Sequence, residues 1–433
     1  MNWFRRIFTL FPLALVLLSS CSALSAALKT YEIGANANVT YNGIASADVL
    51  GRDVAIGDVN NDGIPDLIMG ARQADPEGRT NAGSVYIYLG PVQSTGTVEI
   101  SAGADITVNG INPGDEAGIG VGVADINHDG IPDLIIGARY ASPNGNYQSG
   151  QAYVIFGPLQ RGVYELATAA NITVNGIAPG DELGVGVAGG DLNQDGYADL
   201  IVGARHADPN GVVNGGETYV LYGPLAAGTY NLPDAANVRI QGVERDEKSG
   251  YGLDVGDVNG DHIPDLIVGA WSKNANGNID SGAAYIFFGP LRPGNIQVTS
   301  ADITINGQYA DDHLGVDAAL GDINGDGIAD IMLGATEADP PSRDRGGKAF
   351  VIYGPLKAGT YGVSAIASEV WYGENAGDYF GIGLAVGDIN GDGIADRAFG
   401  AFRADPDPTR VNAGQVYVVY GTPASALQPR KRR

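Results

Sequence analysis

The sequence predicts an all-β fold, a six-bladed β-propeller whose blades are four-stranded antiparallel sheets. Two observations predict it. The pattern Asp-x-Asn-x-Asp-x-x-x-Asp occurs six times, its first aspartates spaced 67, 66, 66, 65 and 66 residues apart. A steady period of that length, filled with short apolar runs and glycine turns, marks units that bury their faces only against neighbours. The second observation is at the ends. The last repeat has three strands, ending at 415–421, whereas Thr30 to Ile33 and Asn38 to Gly43 match the segment that elsewhere follows the third strand. An N-terminal strand that completes the C-terminal blade closes the ring and removes its sheet edges.

In chain order, Arg5 and Arg6 precede an apolar run from Ile7 to Leu18, too short for a membrane span of ~20 residues but suited to a signal-peptide core. Residues 1–20 are therefore read as a leader. Leu18-Ser19-Ser20-Cys21 resembles the bacterial lipobox, which implies lipidation of Cys21, the only cysteine. The alternative is an ordinary leader cut near Ala26 or Ala27. Residues 21–28 then form a short linker, 29–422 the propeller, and 423–433 a basic, disordered tail.

The third repeat shows the blade pattern. Strands are expected at 184–190, 198–203, 217–222 and 237–242, rich in Val, Ile and Tyr and separated by Gly, Asn and Pro. With 66 Gly and 22 Pro in 433 residues, turns dominate and long helices are disfavoured.

The aspartate motif lies between the first and second strand of every repeat. In a tightly curled loop, positions 1, 3 and 5 offer side-chain oxygens, position 7 a backbone carbonyl and position 9 a further carboxylate. The expected ligands are Asp58, Asn60, Asp62, Ile64 and Asp66; Asp125, Asn127, Asp129, Ile131 and Asp133; Asp191, Asn193, Asp195, Tyr197 and Asp199. The other three loops supply Asp257, Asn259, Asp261, Ile263 and Asp265; Asp322, Asn324, Asp326, Ile328 and Asp330; Asp388, Asn390, Asp392, Ile394 and Asp396. Oxygen donors without nitrogen or sulfur select Ca2+, up to six ions, in a structural role. An EF-hand is excluded, because position 12 is apolar (Met69, Ile136) and the flanks read as strands. Five loops have glycine at position 6; the fourth has His262, which is expected to strain the turn.

Charge supports ion binding. Of 25 Lys and Arg, two lie in the leader and four in the tail, which leaves 19 against 50 acidic residues. So acidic a chain disfavours nucleic-acid partners. Four scattered His and one Cys cannot build a Cys/His zinc site.

Leu183-Gly184, the aspartate loop and Val202-Gly203-Ala204 resemble the FG-GAP repeat of integrin alpha-chain propellers, found also in glycosylphosphatidylinositol-specific phospholipase D. Phe380-Gly381 is the fullest match to the leading pair. The integrin resemblance implies adhesion or ligand recognition, with calcium loops on one face and an extracellular protein or glycan met by the other. The expected function is thus a calcium-binding, lipid-anchored extracytoplasmic module without catalytic residues, held at an outer membrane or bacterial cell surface through Cys21. The alternatives are a catalytic propeller, hydrolase or lyase, and a purely structural envelope protein. On the face opposite the loops, Arg72, Arg139 and Arg205 are expected to ion-pair with neighbouring Asp or Glu, and Trp271, Trp371, Tyr140 and Tyr379 are the aromatic candidates for recognition.

Overall fold

A computed structural model describes residues 28–93, 95–176 and 178–422. The leader, Cys21, most of the linker and the tail at 423–433 lie outside the described residues.

Six sheets form the ring. In the third, Leu183–Gly190 lines the axis, Asp199–Ala204 and Glu217–Leu221 follow outward, and Val238–Gln241 comes fourth, all antiparallel. Each blade then gains one strand beyond the expected four. Gly294–Gln297, from the chain that leads into the fourth strand of the next blade, pairs in parallel with Val238–Gln241. The same strap occurs in every sheet, so each blade hands a strand to the one before it. The straps are exposed and carry little apolar alternation, and they cover what would be the outer edge of each sheet.

Closure uses both N-terminal segments. Val39–Asn42 pairs antiparallel with Gln415–Val419 as the fourth strand of the last blade, and Lys29–Glu32 straps the blade before it through Glu369–Tyr372.

Two glycines explain how closely the blades approach. The second residue of every inner strand sits at positive φ beside a register shift, as at Gly184 (φ 87°) and Gly250 (φ 92°). The glycine before the alanine that ends each second strand faces it across the blade boundary. A Cβ added at Gly203 would lie 1.8 Å from the Gly250 carbonyl oxygen, and one at Gly400 would lie 2.0 Å from that of Gly51 across the closure. No side chain fits there, so the two glycines are halves of one contact repeated round the ring.

The core is distributed between adjacent blades. Leu200 and Val202 pack with Ile135 and Val154 of the preceding blade, and Leu266 and Val268 with Ile201 and Val220, all fully buried. Among the described residues no helix is long and apolar enough to cross a membrane.

Candidate functional site

Each inner strand runs from one mouth of the ring to an aspartate loop at the other, and the second strand returns. All six loops therefore share one face.

The loops superpose in their hydrogen bonding. The first aspartate accepts from the backbone N–H of position 5 at 2.9–3.2 Å and of position 6 at 2.7–2.9 Å, as Asp58 does from Asp62 and Gly63. The position 5 aspartate accepts from the N–H of position 7, which is Ile64, Ile131, Tyr197, Ile263, Ile328 or Ile394, at 2.9–3.0 Å. The position 9 aspartate is buried and in every loop accepts at least two amides. One oxygen takes the N–H of position 2, and the other takes a glycine N–H just beyond the third strand, at 2.9–3.1 and 2.7–3.0 Å. Asp66, Asp133, Asp199, Asp265, Asp330 and Asp396 thus tie each loop to its own blade.

Burial pushes all six of these carboxyls up to about 6; the two amide bonds pull them down, and neighbouring loop aspartates push them up further. His262 takes the left-handed conformation of the glycines it replaces (φ 67°), and its N–H still reaches Asp257 at 2.7 Å. The fourth loop therefore keeps the common shape and stores the strain in that residue.

Among the described residues no three His, Cys, Asp or Glu side chains converge into a ready cage. The donor set nevertheless fits a hard dication. It is oxygen-only, and in the third loop Asn193 Oδ1 is buried without a hydrogen-bond partner. The amide contacts hold the backbone curl, and a cation would draw on oxygens those amides already share.

The opposite mouth is not six-fold. Over the first three blades, Arg72, Glu116, Arg139, Glu182 and Arg205 form a continuous ion-pair chain: Arg72 to Glu116 2.6 Å, Arg139 to Glu116 2.8 Å, Arg139 to Glu182 3.9 Å and Arg205 to Glu182 2.7 Å. Burial alone would raise both glutamates. The paired arginines pull Glu116 below its usual range, and His206, Arg205 and Arg139 bring Glu182 down to about 2. The expected ion pairs between loops are present here, and they cross blade boundaries.

Over the other three blades the same positions hold Lys248, Trp271, His313, Thr336, Tyr379 and Phe402. Trp271 and Tyr379 line this mouth, whereas Tyr140 lies at its edge under Arg139, 4.3 Å from ring centroid to guanidinium. Trp371 is withdrawn as a recognition candidate: it is 2% exposed, stacked on Tyr31 at 4.4 Å and bonded through Nε1 to Glu369.

Between the faces, a channel cavity of about 240 Å³ is lined by Asp53, Asp254 and Asp317, which sequence reasoning did not single out. Each bonds its own next amide and reaches an inner strand of the next blade: Asp53 to Val121, Asp254 to Leu320 and Asp317 to Leu384, at 2.7–2.8 Å. They tie blade to blade where a bulge frees an amide.

Residues 50–88, 117–155, 183–221, 249–287 and 314–352 match the family described as FG-GAP repeat. The chain is an FG-GAP repeat propeller. The sixth blade lies beyond those matched segments. Its second strand carries Arg397 where the other five have Leu or Ile, and Arg397 pairs with Glu369 at 2.7 Å. Human phosphatidylinositol-glycan-specific phospholipase D is 33% identical over 180 residues, covering 41% of this chain and 21% of that protein. The rat protein of the same name is 32% identical over 310 residues, 68% of this chain and 36% of that protein. Integrin alpha pat-2 of Caenorhabditis elegans is 31% identical over 239 residues, 52% of this chain and 18% of that protein. The chain spans less than two fifths of the length of each of these relatives.

Proposed function

We propose that this FG-GAP propeller is a lipid-anchored, extracytoplasmic ligand-binding module of the adhesion type, stiffened by calcium on one face and recognising an extracellular protein or glycan with the other. The carrying observation is the contrast between a face on which all six loops repeat the same five aspartate–amide hydrogen bonds and an opposite mouth that differs blade by blade. Asp58, Asn60, Asp62 and Asp66, with the Ile64 carbonyl, would hold one ion, and the corresponding residues of the other loops would hold the rest. Bound calcium supplies positive charge that relieves the crowded carboxylates. Cys21 supplies the anchor, outside the described residues.

The names of the phospholipase relatives favour a catalytic reading, but the residues here do not support one. Among the described residues none of the His side chains is hydrogen-bonded to a Ser, Thr or Cys. His206 and His313 contact Glu182 and Glu337, and His128 and His262 belong to aspartate loops.

The test is a panel of extracellular proteins and glycans presented to the purified protein with calcium and with chelator. Saturable binding that weakens in chelator is expected. Absence of any saturable ligand would leave a structural envelope role.

A further inference from the structure

The mouth opposite the aspartate loops encloses a cup of about 300 Å³, at the small end of ligand pockets. Its floor is set by the third residue of each inner strand. Five of these are Ile119, Val185, Tyr251, Val316 and Ile382; the sixth is Arg52. Arg52 is only 4% exposed, and among the described residues its guanidinium makes no hydrogen bond and no ion pair. It rests on aromatic faces, 4.7 Å from the Tyr251 centroid and 5.9 Å from that of Phe402. A buried guanidinium without an acceptor is costly, and the cation–π contacts recover part of that cost.

The nearest carboxylates do not discharge it. Asp53 and Asp317 attract Arg52 from the channel, but their oxygens are taken up by the amides of Val54, Val121, Ala318 and Leu384. Other donors round the cup are also unfilled. Arg72 Nε is buried without a partner, Trp271 Nε1 likewise, and Lys248 lies 4.3 Å over the Trp271 ring with only a 3.5 Å contact to Ser272. Arg403 stacks on Tyr379 at 4.5 Å and makes no ion pair among the described residues. Five cations line the cup (Arg52, Arg72, Arg139, Arg205 and Arg403) against one lining carboxylate, Glu337, which His313 and Arg345 already hold; Glu116 and Glu182 pair with Arg72, Arg139 and Arg205, and Lys248 beside the cup is attracted by Asp280 and Asp246. This excess stands in a chain whose net charge is -25.

We propose that the cup is an oxyanion-binding site: a carboxylate, sulfate or phosphate group of the ligand completes Arg52, and the body of the ligand lies against Trp271, Tyr379 and Phe402. The planar guanidinium fork suits any of these groups, and the half-cup of rings gives the ligand an apolar seat. The proposal rests on the reading of this ring as a ligand-binding module and specifies the chemistry of what it binds.

The test is calorimetric titration of the purified full chain with sodium sulfate, sodium phosphate, glucuronate, glucose 6-phosphate and glucose, with Trp271 fluorescence followed alongside. The anions are expected to bind in a saturable, salt-sensitive manner, with glucose at least roughly tenfold weaker. The stronger of glucuronate and glucose 6-phosphate assigns the charged group. Arg52→Met is expected to weaken anion binding roughly tenfold or more while the melting temperature holds or rises, since an unpaired buried charge has gone. Arg403→Ala, at the exposed rim, provides a second variant should Arg52→Met fail to fold, and should weaken the same anions. No binding by any anion, or equal binding by wild type and both variants, overturns the site. If the panel of proteins and glycans then yields a ligand that binds wild type and Arg52→Met alike, the module reading stands and only the oxyanion site falls. If the panel is silent too, both fall.

Discussion

The two mouths of this ring are built from the same six blades and obey different rules. On one, every loop repeats the same aspartates and a shared set of five amide contacts, down to a histidine forced into a glycine conformation. On the other, the equivalent positions hold an arginine–glutamate chain over three blades and a lysine, rings and a histidine over the rest. Uniformity is what a ring needs where each unit must fit its neighbours, and departure from it is what a recognition surface needs, since a single ligand cannot have six-fold chemistry. The six-fold register thus serves as an internal reference against which Arg52 stands out.

The largest effect should come from breaking a repeated contact. Asp199→Ala removes the acceptor for the buried amides of Leu192 and Gly223, and should cost about 4 kcal/mol by denaturant unfolding. If the loss is nearly nil, the position 9 aspartates are not the ties that hold loop to blade. Glu116→Ala on the variable face should cost about 3 kcal/mol, because Arg72 and Arg139 are left facing each other in a buried setting. Trp271→Ala, from the half-buried aromatic side, should change stability much less while altering ligand binding. Equal losses for these two would erase the distinction between the halves of the cup.

A pH scan sharpens the same division. Glu182 is depressed to about 2, so its contribution to stability is complete above the ordinary glutamate range and is lost as the pH falls toward 2. The melting-temperature gap between wild type and Glu182→Gln should therefore be widest near neutrality and close in acid. A gap that widens in acid would reverse the assignment. The smallest effect is His262→Gly, which relieves a left-handed residue and should stabilise by about 1 kcal/mol, measured by chemical unfolding. A destabilised variant would show that the histidine side chain contributes something the backbone account omits.

The sequence made the ring legible because its period, its strand runs and the missing last strand are all local patterns. It did not reveal the straps. Gly228–Asn231 reads as Gly-Thr-Tyr-Asn, exposed and without alternation, and its partner is a strand of the preceding blade. The aspartate loops were legible as donor sets, but spacing does not tell that Asp66 would bond two amides 31 residues apart, at Val59 and Gly90. Arg72, Arg139 and Arg205 were legible as pairing residues; Arg52 was visible only as one charged residue among apolar ones, and its burial among rings depends on the whole circle. Trp371 illustrates the converse, since nothing local says that Tyr31, more than 300 residues earlier in the chain, will cover it.

The repeated face is proposed here as a metal-bearing framework. Calorimetric titration of chelator-treated protein with calcium, with thermal unfolding run alongside, tests it most directly. Close to six equivalents should bind, one for each aspartate loop, and the melting temperature should rise. Absence of binding, with identical melting in calcium and in chelator, would contradict it and reduce the six loops to hydrogen-bonded turns.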